Sequence, residues 1–125
     1  MRPSTLWTGQ LRRRYVAEMT PNEAVYTTLS ATGLKGAQSA WPIGAAPPLP
    51  WFVYYREDGG EVFADDSNYS ELPRFRAELW TSQNDETVRA SFEAALSEIG
   101  PFSTNEGWVP SENAYMVAYT FTYHN

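Results

Sequence analysis

The sequence predicts an α+β domain: an antiparallel or mixed sheet of about five strands with two helices packed on one face. Two segments begin with helix-capping residues, and several others are rich in aromatic and β-branched residues. Turn-forming residues are frequent, with 9 Pro and 8 Gly among 125 residues. We predict the order α-β-β-β-α-β-β, and the length fits one domain.

Residues 1–18 differ in charge from the rest of the chain. They hold four arginines and one glutamate, a balance of +3, whereas residues 19–125 hold five basic and fourteen acidic residues, a balance of −9. We predict a flexible N-terminal extension over 1–18 and a single α+β domain over 19–125. The alternative is an ordered arm that docks on a neighbouring subunit through four apolar side chains (Leu6, Trp7, Leu11 and Tyr15).

The first helix is expected over residues 21–32. Thr20 and Glu23 have the spacing of a capping box, and a proline stands at the first helical position. Gly33 and Gly36 are expected to end this helix.

The central part of the chain predicts three strands after a loop. Residues 37–50 are rich in Pro, Ala and Gly and are expected to form an extended loop. Residues 51–56 are continuously aromatic or β-branched and predict a strand, which a turn at 57–60 connects to a returning strand at 61–64. The third strand, 72–81, alternates in character.

The alternation in the third strand assigns its two faces. Phe75, Ala77 and Leu79 are expected to point one way, and Trp80 the other way together with charged side chains. This assignment places Trp80 on the face of the strand that points away from Phe75, Ala77 and Leu79.

A second helix and two further strands complete the prediction. Ser82 together with Asp85, or Asn84 alone, is expected to cap the helix, which ends at Gly100-Pro101. Its apolar stripe comprises Val88, Phe92, Ala95, Leu96 and Ile99. The last two strands are expected at 102–109 and 114–123. In the second of these, one face carries Tyr115, Val117, Tyr119, Phe121 and Tyr123.

Composition argues against several kinds of chemistry. The sequence has no cysteine, one histidine (His124) and one lysine (Lys35), which disfavours thiolate sites, histidine-based triads and a Walker-type phosphate site. We expect the acidic residues around the turn at 57–60 to be solvated side chains and not a catalytic or cation-binding pair. We expect no enzymatic activity, no metal and no cofactor.

Hydropathy and charge bear on membranes and nucleic acids. No segment reaches the roughly 18 apolar residues of a membrane span, so we expect a soluble protein without a membrane partner. The acidic balance of residues 19–125 is expected to repel nucleic acid.

The aromatic residues are the remaining candidates for function. Trp51, Phe52, Tyr54 and Tyr55 lie so close in sequence that some must face away from a one-sided core. Exposed aromatics anchor protein interfaces. The candidate interface residues are Trp41, Phe52, Tyr54, Tyr69 and Trp80. In the alternative interpretation, helices and loops cover both sheet faces and most of these residues are core.

Several segments resemble one protein family. They are Leu49-Pro50-Trp51-Phe52-Val53-Tyr54-Tyr55-Arg56, Ala64-Asp65-Asp66 with Tyr69, Ala77-Glu78-Leu79-Trp80-Thr81, and Ser111-Glu112 before a Tyr-rich last strand. Across roughly residues 19–125 the chain resembles the tail terminator, or tail-completion, proteins of long-tailed phages and prophages. The start of such proteins would match Met19.

The resemblance implies a structural protein of the virion, located at the head–tail junction after assembly in the host cytoplasm. Such proteins form a ring, expected to be a hexamer, that caps the tail tube and docks the head connector. DNA passes through the lumen without specific binding.

Two other functions remain open from the sequence. One is a small-ligand-binding or hydrolytic domain, with a pocket lined by Trp51, Tyr55 and Tyr119 and an acid such as Glu78 or Glu112. The other is an acidic protein that mimics DNA.

Overall fold

The computed structural model describes residues 19–57 and 72–123. Its elements, in chain order, are α1 (Pro21–Ser30), β1 (Lys35–Gln38), β2 (Trp51–Arg56), β3 (Arg74–Thr81), α2 (Glu86–Ser97), β4 (Phe102–Val109), a 3-10 turn (Pro110–Glu112) and β5 (Ala114–Thr122). This arrangement confirms the predicted α+β class and the order α-β-β-β-α-β-β. The predicted returning strand at 61–64 lies outside the described residues.

The five strands form one mixed sheet in the order β1-β2-β3-β5-β4. β1 runs parallel to β2, and every other neighbouring pair is antiparallel. Both helices pack on the same face, as predicted: Tyr26 of α1 contacts Phe52 and Tyr54, and Phe92 of α2 contacts Phe52 and Tyr119. Neither α1 nor α2 packs on the opposite face.

α1 begins at the predicted capping box. The Thr20 hydroxyl accepts a hydrogen bond from the Glu23 backbone N–H, and the Glu23 carboxylate accepts one from the Thr20 backbone N–H, each at 3.1 Å. These two bonds satisfy N–H groups that a helix start otherwise leaves unpaired. The helix ends at Ser30, two residues earlier than predicted, and Gly33 follows with φ +92°.

The prediction that residues 37 and 38 belong to a loop was wrong. Residues 35–38 form β1, whose strand geometry comes from its parallel pairing with β2. Gly36 is required here because the ring of Phe52 lies where a side chain at position 36 would begin. The segment from Ser39 to Pro50 has no regular structure, in agreement with the predicted loop.

The cap of α2 also differs from the prediction. Asp85 is itself the N-cap, and its carboxylate accepts hydrogen bonds from the backbone N–H groups of Thr87 (3.1 Å) and Val88 (3.2 Å). A carboxylate at this position also complements the positive end of the helix dipole, so Asp85 serves better than Ser82 or Asn84.

The core lies between the two helices and one face of the sheet. Phe92 is at its centre, with ring centroids 5.5 Å from both Phe52 and Tyr119. The predicted faces of β3 and β5 are confirmed. The buried core includes seven of the residues expected to point inward (Phe75, Ala77, Leu79, Val117, Tyr119, Phe121 and Tyr123), and Tyr115 packs against it partly buried. Within residues 19–57 and 72–123, neither helix has the length and hydropathy needed to cross a membrane.

Candidate interaction site

Three tryptophans form a row on the sheet face without helices. Trp51 of β2 and Trp80 of β3 are cross-strand partners, and their rings stack with centroids 5.7 Å apart and planes inclined by 28°. Trp41, from the loop after β1, meets Trp51 edge-on at 5.8 Å and 75°. Both are favoured arrangements for aromatic pairs, and the Trp41–Trp51 contact stabilises the loop against the sheet.

The row borders an open cleft of ≈ 370 Å³, which we call the tryptophan cleft and define by Trp41, Val53, Trp51, Glu78, Trp80 and Glu112. Ile43, on the same loop as Trp41, lines the cleft and is fully exposed. Apolar surface of this kind beside acidic side chains is typical of a contact site for another molecule.

The carboxylate of Glu78 is fixed within the cleft by two side chains of its own strand. One of its oxygens accepts a hydrogen bond from the indole N–H of Trp80 (3.1 Å), and the other accepts one from the guanidinium of Arg76 (3.0 Å). Since residues at i and i+2 of a strand share a face, β3 positions all three groups. The Glu78 carboxylate therefore orients Trp80 and is already engaged by donors.

The indole N–H of Trp41 is buried and has no acceptor among the residues that the structure describes. A buried donor without an acceptor is costly, so the loop is held by ring packing and not by this N–H group. Trp41 therefore combines a ring contact with Trp51 and a buried N–H group that has no acceptor among the described residues.

The structure separates the five predicted interface residues. Trp41 and Trp80 are partly exposed and line the cleft. Phe52 and Tyr54 are only 0% and 5% exposed and lie under the helices, so their prediction as exposed interface residues was wrong. Tyr69 is outside the described residues.

The alternative pocket is assembled only in part. Trp51, Glu78 and Glu112 all line the tryptophan cleft. Tyr119 is on the opposite side of the sheet, fully buried against Phe92, and Tyr55 does not line the cleft.

The pairing of Trp51 with Trp80 was not predicted from the sequence. The alternation within β3 showed the side of Trp80, but only the β2–β3 register places Trp51 beside it.

A second polar cluster joins α2 to β4 and β5. The Arg89 guanidinium donates to both carboxylate oxygens of Glu106 (2.7 and 3.0 Å) and to Glu93 (2.9 Å). The phenol of Tyr115 donates to Glu106 (2.7 Å), and that of Tyr119 donates to Glu93 (2.9 Å). Because each carboxylate here accepts hydrogen bonds from two side chains, the cluster acts as a brace between helix and sheet.

The same contacts change ionisation. The hydrogen bonds from Arg89 and then Tyr115 lower the pKa of Glu106 below its ordinary value of 4.5. Burial, followed by the hydrogen bond to Glu93, raises the pKa of Tyr119. Both shifts favour the protonation states that the cluster needs near neutral pH, namely an ionised Glu106 and a neutral Tyr119.

The lowered pKa of Glu106 predicts an acid-dependent loss of stability. A carboxyl group whose pKa is lower in the folded state contributes stability that is complete above its unfolded pKa and is lost as the pH falls through the folded pKa. We expect the melting temperature of the wild type to exceed that of Glu106→Gln at pH 7, and the difference to shrink below pH 4.5. Thermal unfolding monitored by circular dichroism from pH 7 to pH 2.5 measures this difference in melting temperature.

Tyr115→Phe provides the control. This variant keeps the contact between Arg89 and Glu106, so it should retain part of the pH dependence of the melting temperature. A difference that is constant with pH would contradict the assignment.

The described residues thus define an α+β domain with a partly exposed cluster of tryptophans on the sheet face opposite α1 and α2. Within 19–57 and 72–123 no three or more His, Cys, Asp or Glu residues are grouped as a metal site would require. No protein-family model matches the sequence, and neither a curated protein nor a solved structure matches it significantly.

Proposed function

We propose that this protein is a structural component of a phage or prophage tail, a tail terminator whose ring caps the tail tube and provides the docking surface for the head connector. One observation carries the proposal. The two longest segments that resemble this family, residues 49–56 and 77–81, include residues 51–54 of β2 and 77–80 of β3, which pair with each other and place Trp51 and Trp80 side by side on the open face. The resembling residues therefore contribute to the core and also to a partly exposed aromatic surface.

The proposed mechanism is binding without chemistry. A ring of identical subunits uses heterologous contacts, in which one surface of a copy meets a different surface of the next. The tryptophan cleft supplies a surface with the large, preorganised aromatic anchors that dominate such contacts. Copies of the chain bind one another, and the ring is expected to contain six of them. The other partners are the tail tube protein and the head connector. The balance of −9 over residues 19–125 suits a lumen through which DNA slides.

The state of the carboxylates supports a binding role over a hydrolytic one. Glu78 accepts hydrogen bonds from Trp80 and Arg76, and Glu93 and Glu106 both accept hydrogen bonds from Arg89. Hydrolytic carboxyl groups need access to a substrate or a water molecule. In this chain these three groups orient side chains of the fold.

Loss of the gene tests the proposal directly. Inactivating it in the phage or prophage that carries it is expected to give tails of excess length, or tails not joined to heads, because nothing stops tube polymerisation or receives the connector. Electron microscopy of the particles measures both outcomes. Complementation with the wild-type gene and with Trp108→Ala, a change at a half-exposed residue outside the cleft, should restore normal particles, whereas Trp80→Ala should restore them poorly.

Particles of normal length and normal infectivity without the gene would contradict the proposal. They would favour the second candidate, a small-ligand-binding domain. The observation behind that candidate is the cleft of ≈ 370 Å³ in which Glu78 and Glu112 lie beside three indoles.

A further inference from the structure

The tryptophan cleft has the chemistry of a seat for cationic side chains. The faces of Trp rings attract guanidinium and ammonium groups, and Arg in particular stacks on them while pairing with a carboxylate. Here Trp51 and Trp80 lie stacked on the sheet, and Glu112 brings an exposed carboxylate to the same cleft. An arginine-rich segment with some apolar residues fits this surface better than an acidic or purely apolar one.

The chain itself contains such a segment. Residues 1–18 include the run Arg12-Arg13-Arg14, with apolar neighbours that include Leu11 and Tyr15. Their balance is +3, against −9 for residues 19–125. Attraction between the two parts of the chain is therefore expected on charge alone, and the cleft supplies a defined position for it.

The start of the described chain lies close to the cleft. Met19 lines a depression on the helix side of the sheet edge together with Gln38, the last residue of β1. The next residue, Ser39, lines the tryptophan cleft. The two sites therefore adjoin at the β1 edge. The five residue-to-residue steps from Arg14 to Met19 span up to roughly 17 Å when extended, enough to pass around one edge strand.

We propose that residues 1–18 turn back around the β1 edge and seat Arg12–Arg14 in the tryptophan cleft of the same chain. The segment then covers the surface that partners would use. If the proposed function holds, the segment competes with the neighbouring subunit or the tail tube, and its displacement accompanies assembly. The seating itself does not depend on that function and is tested separately.

Trypsin cleavage after Arg12, Arg13 and Arg14 reports whether the segment is seated. In the full-length protein we expect these bonds to be cut at least about tenfold more slowly than in a synthetic peptide of residues 1–18. A seat occupied about 90% of the time leaves only a tenth of the molecules open to the protease. Mass spectrometry of the early products at several protein concentrations gives the rates.

Substitutions in the cleft locate the seat. Trp80→Ala removes one stacking surface, and Glu112→Lys reverses the charge at an exposed position that does not contribute to the core. Both are expected to raise the cleavage rate towards that of the peptide. Trp108→Ala, a half-exposed tryptophan outside the cleft, should leave the rate unchanged. Circular dichroism shows whether each variant is folded, and Glu112→Lys keeps the test decisive if Trp80→Ala does not fold.

Three results would overturn the proposal. Cleavage of the wild type at the rate of the peptide would show that the segment is not seated. Protection that survives both cleft substitutions would place the seat elsewhere. Protection that increases with protein concentration would assign the segment to the cleft of a neighbouring copy and not to its own.

Discussion

Gly36→Ala is expected to lower the free energy of unfolding by about 2–3 kcal/mol, the upper range for overpacking a dense core. The added methyl group would overlap the ring of Phe52, which packs directly over Gly36. Phe52 is 0% exposed and is in contact with Phe92, Tyr26 and Tyr54, so its ring cannot move aside without disturbing the centre of the core. Urea denaturation monitored by circular dichroism measures the change.

A matched substitution isolates the cause. Gly107→Ala is the same chemical change in a strand, but no atom lies within 4 Å of the added methyl group, and we expect a change of at most about 0.5 kcal/mol. In a Phe52→Ala background the cost of Gly36→Ala should largely disappear, because the ring that it would meet is gone. Equal destabilisation by the two glycine substitutions would contradict the role assigned to Gly36.

Phe92→Ala is expected to cost about 3–5 kcal/mol, as is usual when a buried aromatic ring is truncated. Phe92 is the residue of α2 that contacts both Phe52 and Tyr119, so its loss leaves a cavity between helix and sheet. For a domain of this size, a loss of this magnitude removes a large part of the total stability. Thermal and urea unfolding both measure it.

The neighbouring position provides the control. Ser91 is exposed on the same helix, and Ser91→Ala should change stability by no more than about 0.5 kcal/mol, with a small gain from helix propensity. A loss of stability from Phe92→Ala as small as that from Ser91→Ala would contradict the position of Phe92 at the centre of the core.

Local signals in the sequence were sufficient for much of the fold. The capping box of Thr20 and Glu23 depends on residues three apart, and both of its hydrogen bonds are present. The alternation in β3 assigned Trp80 and Leu79 to opposite faces because one face of that strand is apolar and the other mostly charged. In such segments the period of the pattern determines the structure.

Other features depend on contacts between distant residues. β1 has no β-branched or aromatic residue, and it is a strand because β2 lies beside it. Consecutive aromatics in β2 obscured which side is buried, so Phe52 and Tyr54 were assigned to the wrong surface. The Arg89–Glu106 pair joins residues 17 apart in sequence, from a helix and an edge strand, and no local pattern indicates this pair.

The position of β5 has a consequence for synthesis on the ribosome. β5 lies between β3 and β4, and β4 has no other sheet neighbour among the described residues. While the chain emerges from the exit tunnel, β4 remains unpaired and one edge of β3 stays open until residues 114–122 appear. β1, β2 and β3 can therefore pair as they emerge, whereas β4 can join the sheet only after β5 has been released.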